Sequence, residues 1–480
     1  MSNPMYSFSD DCSPLSDRER VNLPYYGVDV RPAHERIYDF DEILLPFDEQ
    51  RARFEAARCI HCPTPAACVT ACPVHNDIPT IMCLIEKGNF LEASQTFRLT
   101  STIPEICGRV CPQEKLCQGS CVHNLRNEPV LIGPLEVFVT DYERSVKGSI
   151  TIRKGAPSGR KVAIVGGGPS GLACAERLIN FGHDVTVYDQ RPIPGGLLMY
   201  GIPGFKLSSK VLMAKLNELQ NAGIHFVTNT FIGKDITIDA LFNDGFDAVY
   251  ISVGAGVDAQ LNIPGEDLPG VFKGTEFLIR SNVNLDLLPP GMTTRPKIGK
   301  RVAVIGGGDT ASDCERTSIR LGAQEVFCIY RRTEDEMPGV SKDRTFARQE
   351  GTRYLFLTQP IRFIADGNGK LTAMECVRME LGEKDAKGRR SPVPIPDSNF
   401  ILEIDTAITA VGYYPFPSIG ETGLDVTRNG LIAIDSKTGA TSRRGIYAGG
   451  DAVRGPSLVV EATADGIRAA SSIHEYLTKL

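Results

Sequence analysis

Two stretches in the middle of the chain share one pattern of apolar and polar residues. In each, a short apolar run (Lys161–Val165 and Arg301–Ile305) leads into a glycine-rich turn and then a helix-like stretch. An unbroken, β-branched run of this kind is typical of a strand buried in a parallel sheet. A second β-rich run follows each helix, at Val185–Tyr188 and Val326–Tyr330. The pattern predicts two copies of a strand–turn–helix–strand unit.

Patterns elsewhere complete the outline of the chain. Charged, helix-favouring stretches such as Asp48–Arg58 and Ile81–Arg98 predict a mainly helical N-terminal region. Near the other end, Gly445–Asp451 predicts a short strand with a Gly-Gly-Asp turn, and Ser457–Ala470 predicts an amphipathic helix. The stretch Glu383–Pro396 is charged and then proline-rich, which predicts an exposed loop or hairpin.

The turn of each copy has the spacing Gly-x-Gly-x-x-Gly/Ala of a dinucleotide-binding fingerprint. In this fingerprint the first glycine makes the tight turn, the second lets the backbone approach a pyrophosphate, and the third lets the helix pack. The free N–H groups at the start of the helix favour an anion. A lone turn could be an ordinary strand–helix connection, but two copies in full context predict two nucleotide sites. The candidate binding residues are Gly166, Gly168, Pro169, Ser170 and Gly171 in the first copy and Gly306, Gly308, Asp309, Thr310 and Ala311 in the second.

The ends of the second strands distinguish the two nucleotides. The first strand leads to Asp189, an acid that can accept hydrogen bonds from a ribose 2′-hydroxyl. The second is followed by Arg331 and Arg332, whose guanidinium groups suit a 2′-phosphate. The alternative for this arginine pair is a solvated basic strand end. We therefore expect FAD in the first unit and NADPH, rather than NADH, in the second.

The C-terminal turn strengthens the FAD assignment. Gly450 and Asp451, with the helix that follows, resemble the second FAD motif of flavoproteins that have two dinucleotide-binding domains. In that motif the aspartate meets the ribityl–pyrophosphate part of FAD, and the helix points at the flavin ring. Gly196, in the Pro-Gly-Gly segment after the first unit, joins the predicted FAD-binding residues.

The predicted fold class is α/β, with a helical domain followed by two Rossmann-like domains. The stretch Gly148–Gly159 has the small residues of a linker. The NADPH domain is predicted to interrupt the FAD domain between Pro289–Gly291 and the small-residue crossing Ala410–Gly412. The predicted domains are the helical domain (1–155), the FAD domain in two parts (156–290 and 410–480) and the NADPH domain (291–409).

Eight of the 14 cysteines lie close together in the N-terminal region, in two runs of four. A Cys-x-x-Cys run that ends in Cys-Pro resembles the bacterial ferredoxin pattern for a 4Fe–4S cluster, although five residues separate Cys62 from Cys68 where two are usual. Structural zinc sites and disulfides are the alternatives. The candidate metal ligands are Cys59, Cys62, Cys68, Cys72, Cys107, Cys111, Cys117 and Cys121.

Composition narrows the classes of partner. The 480-residue chain carries a net charge of −6, which gives no electrostatic case for nucleic acid or an anionic membrane. No apolar run approaches the roughly 18 residues that a membrane span needs. The N-terminal segment Met1–Asp11 is polar and acidic, unlike a signal peptide. Many thiols without a secretion signal predict a reducing, cytoplasmic location.

The combined motifs resemble the small (β) subunit of NADPH-dependent glutamate synthase over nearly the full chain. The same module occurs in dihydropyrimidine dehydrogenase and in the large subunit of NADH-dependent ferredoxin:NADP oxidoreductase. The resemblance is carried by the two cysteine runs, both glycine-rich turns, the arginine pair with Met337-Pro338, and the segments Cys72–His75, Cys107–Pro112, Pro194–Pro203 and Ala448–Asp451.

The resemblance implies cross-paired clusters rather than two local ones. One cluster would use Cys59, Cys62, Cys68 and Cys121. The other would use Cys72, Cys111 and Cys117 with a Glu or Gln side chain downstream, and Glu136 is the matching residue. Cys107 would then lie nearby without binding iron. If each cysteine run instead held its own cluster, Cys107 rather than Glu136 would complete the second cluster. The loop before Cys68 is one residue longer than in the family.

The resemblance also implies a function for the whole chain. It predicts an electron-input enzyme that oxidises NADPH through FAD and two 4Fe–4S clusters, with no catalytic side chain. The implied partner is a larger FMN- and iron–sulfur-containing glutamate synthase subunit, which makes L-glutamate from L-glutamine and 2-oxoglutarate. The alternatives are a subunit of a ferredoxin:NADP or pyrimidine-reducing oxidoreductase and, from another class, a non-enzymatic iron–sulfur sensor or scaffold.

Overall fold

The computed structural model describes residues 15–289, 291–384, 388–415 and 422–480. The polar segment Met1–Asp11 lies outside these residues. Within the described ranges, no helix combines the length and the apolar character that a membrane crossing requires. From residue 15 onward, the N-terminal part contains eight α-helices and two short 3-10 helices (Gln113–Lys115 and Val122–Leu125). The α-helices are α1 (Asp17–Asn22), α2 (Ala33–Arg36), α3 (Glu49–Ala57), α4 (Ala67–Ala71), α5 (Ile78–Lys87), α6 (Phe90–Thr100), α7 (Pro104–Val110) and α8 (Ile132–Lys147).

Local chemistry sets the ends of these helices. The Asp48 carboxylate accepts the N–H of Arg51 at 2.7 Å and caps α3. Gly88, with φ of 85°, ends α5 in the left-handed conformation that favours glycine. The predicted stretch Ile81–Arg98 is therefore two helices, α5 and α6. Their apolar faces pack with α3 and α8 around a core that includes Ile81, Phe97 and Leu135.

The two glycine-rich units form the rest of the chain. The first begins with β1 (Lys161–Val165), α9 (Pro169–Asn180), β2 (Asp184–Tyr188), α10 (Leu197–Tyr200), α11 (Ser209–Asn221), β3 (His225–Val227), α12 (Ile238–Asn243) and β4 (Ala248–Ile251). The second contains β5 (Val257–Asp258), β6 (Val271–Lys273), α13 (Gly274–Asn282), β7 (Arg301–Ile305), α14 (Asp309–Arg320), β8 (Glu325–Ile329), α15 (Ser341–Glu350), β9 (Thr352–Leu355), β10 (Thr358–Ala365), β11 (Leu371–Lys384), β12 (Arg390–Pro394), β13 (Phe400–Glu403), β14 (Thr406–Thr409) and β15 (Tyr413–Tyr414). The chain ends with β16 (Ile446–Ala448), α16 (Asp451–Arg454) and α17 (Val459–Leu477).

Each unit is built on a five-stranded parallel sheet. The first has the order β16-β4-β1-β2-β3 and the second the order β6-β14-β7-β8-β9. The registers correspond, because Val162 pairs with Val185 in the first sheet and Val302 with Val326 in the second. Ligands of such sheets bind beyond the carboxyl ends of the strands, where both glycine-rich turns lie.

A small antiparallel sheet is attached to the second unit. Its strands are β10, β11, β12 and β13, with β11 in the middle. The predicted loop or hairpin at Glu383–Pro396 is the β11–β12 hairpin, in which Lys384 lies opposite Arg390. Apolar residues of β10 and β11, including Phe363 and Met374, pack with Ala303 and Ile305 of β7.

The point where the chain passes into the second unit differs from the prediction. We expected the change near residue 290, but β6 already pairs with β14 in the second sheet. The chain enters the second unit through β5 and leaves it through β15, and these two strands pair with each other in antiparallel orientation. The Pro-Pro-Gly signal at 289–291 comes after β6 and α13 in the sequence, and such signals mark turns within a unit as readily as domain boundaries.

A buried ion cluster joins the N-terminal part to the second unit. The Glu350 carboxylate accepts hydrogen bonds from Arg36 at 2.7 Å, Arg316 at 3.0 Å and Arg320 at 2.6 Å. Burial by itself would raise the pKa of Glu350, but the bonds from Arg320 and Arg316 outweigh burial and lower the pKa to about 2. The Phe205 ring of the first unit lies 4.2 Å from the Arg316 and Arg320 guanidinium groups.

We expect Glu350→Gln to destabilise the protein by about 3–5 kcal/mol, because it leaves buried guanidinium groups without their shared carboxylate. Arg353→Gln is the matched control, since its pair with Glu325 is exposed and worth at most about 1 kcal/mol. Urea denaturation followed by circular dichroism measures both. Equal midpoint shifts in the two variants would contradict a stabilising role for the cluster.

Candidate functional site

In the first glycine-rich turn, there is free space for a β-carbon at one glycine, whereas a β-carbon would clash with the backbone at the other two. A β-carbon at Gly166, whose φ is 99°, would lie 2.5 Å from the Ser252 carbonyl oxygen. A β-carbon at Gly171 would lie 2.0 Å from the Gly166 carbonyl oxygen. Around Gly168, by contrast, no described atom lies within 4 Å of that position. The turn therefore forms a cradle at Gly168 in which a pyrophosphate fits.

The second turn repeats this geometry. A β-carbon at Gly306 would lie 2.2 Å from the Ala410 carbonyl oxygen, whereas the same position at Gly308 has no described atom within 4 Å. Ala311, at the third position, is buried where α14 packs on β7. The two turns thus offer equivalent cradles at the start of α9 and α14.

The first cradle opens into a cavity of about 190 Å³. The Asp189 carboxylate lies at its edge and accepts the N–H groups of Gly167 at 2.9 Å and Arg191 at 2.8 Å. Burial raises the pKa of Asp189 and raises that of Asp451 to about 6. The predicted FAD-binding residues that line the cavity are Gly166, Gly168, Pro169, Ser170, Asp189, Gly196, Gly450 and Asp451.

A second cavity, of about 290 Å³, adjoins the first. The two share a wall that includes Leu197, Tyr413 and Leu458. Asp309 and Thr310, at the start of α14, line the second cavity as well. The first glycine-rich turn therefore lines one cavity, and the start of α14 lines a second cavity that shares part of its wall with the first.

The second cavity also reaches the cysteine-rich part. Cys111, Pro112 and Gln113 line part of its wall. One space thus touches the predicted FAD site, the predicted NADPH turn and one of the eight cysteines. The cysteine spacing gave no signal for this contact, because it depends on how the helical part docks on both sheets.

Sequence reasoning missed a hydrogen-bonded group on the shared wall. The Tyr413 hydroxyl lies 2.8 Å from the Thr310 hydroxyl, and the Thr275 hydroxyl donates to Asp258 at 2.9 Å. Tyr413 and Thr275 both line the two cavities. The available signal was the position of Tyr413 directly after the small-residue crossing at 410–412.

An ion triad closes the second cavity between the two units. The Lys206 ammonium lies 2.7 Å from Asp343 and 3.1 Å from Asp313. Lys206 belongs to the first unit, whereas Asp313 and Asp343 lie on α14 and α15. Asp309 accepts the N–H of Val340 at 2.8 Å, which holds the segment before α15 against the turn. The two Lys206 ion pairs therefore join the second unit to the first.

The two predicted phosphate-binding arginines have different environments. Arg331 is exposed after the end of β8, whereas Arg332 is buried. The Nε of Arg332 donates to the Arg390 carbonyl oxygen of the β11–β12 hairpin at 2.7 Å. Arg331 is therefore the member of the pair that faces solvent.

Four of the cysteines surround a small cavity of about 30 Å³. These are Cys59, Cys62, Cys68 and Cys121, all free thiols. Burial and the charges of the neighbouring cysteines raise the pKa of Cys59, and they raise that of Cys68 to about 12. Buried thiolates that repel one another are stabilised by a cationic centre, so this donor set fits an iron–sulfur cluster.

A second group contains Cys72, Cys107, Cys111, Cys117 and Glu136. A hydrogen bond with Cys107 and burial raise the pKa of Cys111, and burial with Cys72 and Glu136 raises that of Cys117. Burial and Cys107 raise the pKa of Glu136. The Glu136 Oε1 atom is buried and accepts no hydrogen bond from the described residues. Both candidates for the fourth ligand thus lie beside the other three thiols.

The cysteines group by their positions in the folded chain and not by their order in the sequence. Cys121, from the second run, lies with the first three cysteines, and Cys72, from the first run, lies with the second group.

Comparison with known families gives the class of protein. Residues 36–148 match the model described as dihydropyrimidine dehydrogenase domain II, 4Fe-4S cluster. Residues 160–466 match the model for pyridine nucleotide-disulphide oxidoreductases. The chain is thus an iron–sulfur flavoprotein of the pyridine nucleotide-disulphide oxidoreductase class.

Curated relatives give the family. The chain is 40% identical to the glutamate synthase (NADPH) small chain of Escherichia coli (strain K12), over 96% of this chain and 98% of that protein. It is 38% identical to the NADP(+)-dependent formate dehydrogenase subunit beta of Moorella thermoacetica, over 86% of this chain and 60% of that protein. The chain belongs to the family of the glutamate synthase (NADPH) small chain. It is an NADPH-dependent oxidoreductase that uses FAD and iron–sulfur chemistry, as the sequence predicted.

Among solved structures, the Mycobacterium tuberculosis FprA complex with NADPH superposes with a TM-score of 0.56. The match covers 68% of this chain and 85% of FprA, at 21% identity. This likeness shows the α/β fold with two Rossmann-type units. The predicted fold class is confirmed, and the enzyme class excludes the non-enzymatic sensor or scaffold.

The two proposed pyrophosphate sites can be tested with one variant in each turn. Gly168→Val is expected to fold, because no described atom lies within 4 Å of the added β-carbon, but to lose FAD to the filled cradle. Gly308→Val is expected to keep FAD and to raise the KM for NADPH roughly tenfold or more. Flavin absorbance per chain and steady-state kinetics measure the two effects. Full flavin content in Gly168→Val would contradict the assignment.

Proposed function

We propose that this chain is the electron-input subunit of a glutamate synthase. In this proposal it oxidises NADPH and delivers the electrons to a larger FMN- and iron–sulfur-containing subunit. That subunit would form L-glutamate from L-glutamine and 2-oxoglutarate. The proposal for the partner is supported by the match to the small chain from Escherichia coli over nearly its whole length.

One observation carries the electron-input role. The second cavity touches Asp309 and Thr310 of the NADPH turn, Leu458 of the FAD site, and Cys111 of the cysteine-rich part. The second cavity therefore borders the proposed sites of the hydride donor and the flavin, together with one proposed cluster ligand. When bound, FAD and the clusters supply the conversion of a two-electron hydride into single-electron steps.

The side chains of the site act by binding and positioning. The backbone cradles at Gly168 and Gly308 would hold the pyrophosphates of FAD and NADPH, and Asp189 would accept the FAD ribose hydroxyls. Lys206 holds the second unit in place through Asp313 and Asp343. No side chain is proposed as a general acid or base, since hydride transfer requires none.

Nucleotide choice is proposed to depend on the end of β8. The exposed Arg331 would bind the 2′-phosphate of NADPH through charge-assisted hydrogen bonds. Arg332 donates a hydrogen bond to the Arg390 carbonyl oxygen, so it would add positive charge near the phosphate without binding it directly. No acid stands at the place that Asp189 occupies in the first unit. This difference supports NADPH over NADH.

The cluster ligands are proposed to be cross-paired. Cys59, Cys62, Cys68 and Cys121 would hold one 4Fe–4S cluster. Cys72, Cys111 and Cys117 would hold the second together with Glu136. The support for Glu136 is a buried carboxylate oxygen without a hydrogen-bond donor, which an iron atom would satisfy.

Removing the fourth ligand tests this cluster proposal. Glu136→Ala is expected to lose or perturb the second cluster, because it removes an oxygen ligand from iron. Cys107→Ala is expected to keep about eight irons per chain and to cost only packing energy, a few kcal/mol at most. Iron analysis and low-temperature electron paramagnetic resonance measure both variants. Unaltered spectra in Glu136→Ala, with about four irons in Cys107→Ala, would show that Cys107 is the ligand.

The partner is tested by reconstitution. We expect the purified chain to reduce an artificial dye with NADPH and to be retained by an immobilised large glutamate synthase subunit. The pair should then form L-glutamate from L-glutamine and 2-oxoglutarate at the expense of NADPH. Dye reduction without retention or glutamate formation would contradict this partner. A ferredoxin or a formate-oxidising subunit that accepts the electrons instead would support another branch of the family, to which the formate dehydrogenase relative points.

A further inference from the structure

Tyr413 lies on the part of the wall that the two cavities share. Six described residues line both cavities, and Tyr413 is the only aromatic residue among these six. Hydride transfer requires the two reacting atoms to come within about 3–3.5 Å of each other. In the proposed function, the nicotinamide therefore has to meet the flavin at this wall, and Tyr413 stands beside the path between them.

Tyr413 is held through both its main chain and its hydroxyl group. Its main chain belongs to β15, where it pairs with Asp258 of β5. Its hydroxyl lies 2.8 Å from the hydroxyl of Thr310, the second residue of α14. The Thr275 hydroxyl, on the same wall, donates to the Asp258 carboxylate at 2.9 Å. These contacts connect the two strands that join the units to the start of α14.

The hydroxyl pair links the second glycine-rich turn to the shared wall. Thr310 lies two residues after Gly308, where the proposed cradle would hold the pyrophosphate of NADPH. A hydroxyl group can donate one hydrogen bond and accept others. When Thr310 donates to a phosphate oxygen, its own oxygen can still accept the hydrogen of the Tyr413 hydroxyl. Burial raises the pKa of Tyr413 to about 12, so its hydroxyl keeps that hydrogen at neutral pH.

We propose that Tyr413 is a positioning residue that donates to Thr310 when NADPH occupies the second turn and thereby directs the nicotinamide towards the flavin. This inference rests on the proposed function and extends it to a named side chain. The hydride would pass from the nicotinamide to the flavin, which oxidises NADPH and reduces FAD. Tyr413 would act through Thr310 and through the position of its ring, and it would neither gain nor lose a proton.

Rapid mixing of the FAD-loaded full chain with NADPH tests the proposal. Tyr413→Phe keeps the ring but removes the donor, so we expect the limiting rate of flavin reduction to fall roughly tenfold. The change that NADP+ causes in the flavin absorbance spectrum should also shrink, because it reports how the nicotinamide lies against the flavin. Binding of 2′,5′-ADP, which has no nicotinamide, should stay the same. Tyr414→Phe, at the neighbouring exposed position of β15, is the matched control and should alter none of these measurements.

A second substitution tests whether Tyr413 acts through Thr310. Thr310→Val removes the hydroxyl that accepts the bond, so adding Tyr413→Phe to it should have little further effect on the rate. Flavin content per chain and circular dichroism should be equal in all variants, so that a slower rate reflects position rather than folding.

Three results would overturn the role of Tyr413. These are flavin reduction at the unaltered rate in Tyr413→Phe, an equal loss in Tyr414→Phe, and additive effects of the substitutions at Tyr413 and Thr310. Failure of the proposed function looks different, because NADPH would then not reduce the flavin of the unaltered chain at all.

Discussion

Buried charge at the junction of the three parts constrains the whole arrangement. A charged group removed from water must find its partner within the protein, because an unpaired one costs several kcal/mol. Glu350 satisfies this requirement with Arg36 from the N-terminal part and two arginines of α14, and Lys206 satisfies it with Asp313 and Asp343. Arg36 and Lys206 pair with groups in another part of the molecule, whereas Arg316 and Arg320 join α14 to α15 within the second unit. The relative positions of the parts are therefore fixed by pairing as well as by apolar contact, and the cavity between them depends on that fixed position.

The same backbone device appears twice and serves two nucleotides. In both units the first glycine turns the chain against a neighbouring strand, and the second leaves a space that no side chain fills. Because these features belong to the backbone, they carry no preference between FAD and NADPH. In the proposed assignment, the preference comes from the end of the second strand, where Asp189 stands in one unit and Arg331 in the other. A shared scaffold with a different residue at one edge would then be enough to separate the two ligands.

Features encoded locally could be predicted from the sequence, and features set by docking could not. The strands β1, β2, β7 and β8, both turns and the C-terminal motif follow from short apolar runs and glycine spacing. The helix-favouring stretch Ile81–Arg98 indicated helical structure but not where one helix ends and the next begins, which Gly88 sets. We predicted the start of the second unit near residue 290, whereas β6, which precedes that point, already belongs to the second sheet. A Pro-Pro-Gly signal does not show which sheet the preceding strand joins. Spacing alone gives no grouping of Cys121 with Cys59; the family resemblance supplied that expectation. The contacts of Tyr413 with Thr310 needed the folded chain, because the two residues lie far apart in sequence.

The paired crossings β5 and β15 have a consequence for how such a chain can arise and change. Because the entry to and the exit from the second unit are neighbouring antiparallel strands, they are separated by one strand spacing, about 4.8 Å. The first sheet closes through β4 and β16 without using any strand of the inserted unit. Insertions are tolerated where the two ends lie close together at a surface. The second unit is thus joined to the first through a single pair of strands, and any segment that replaced it between these strands would also have to supply acidic partners for Lys206 and Arg36.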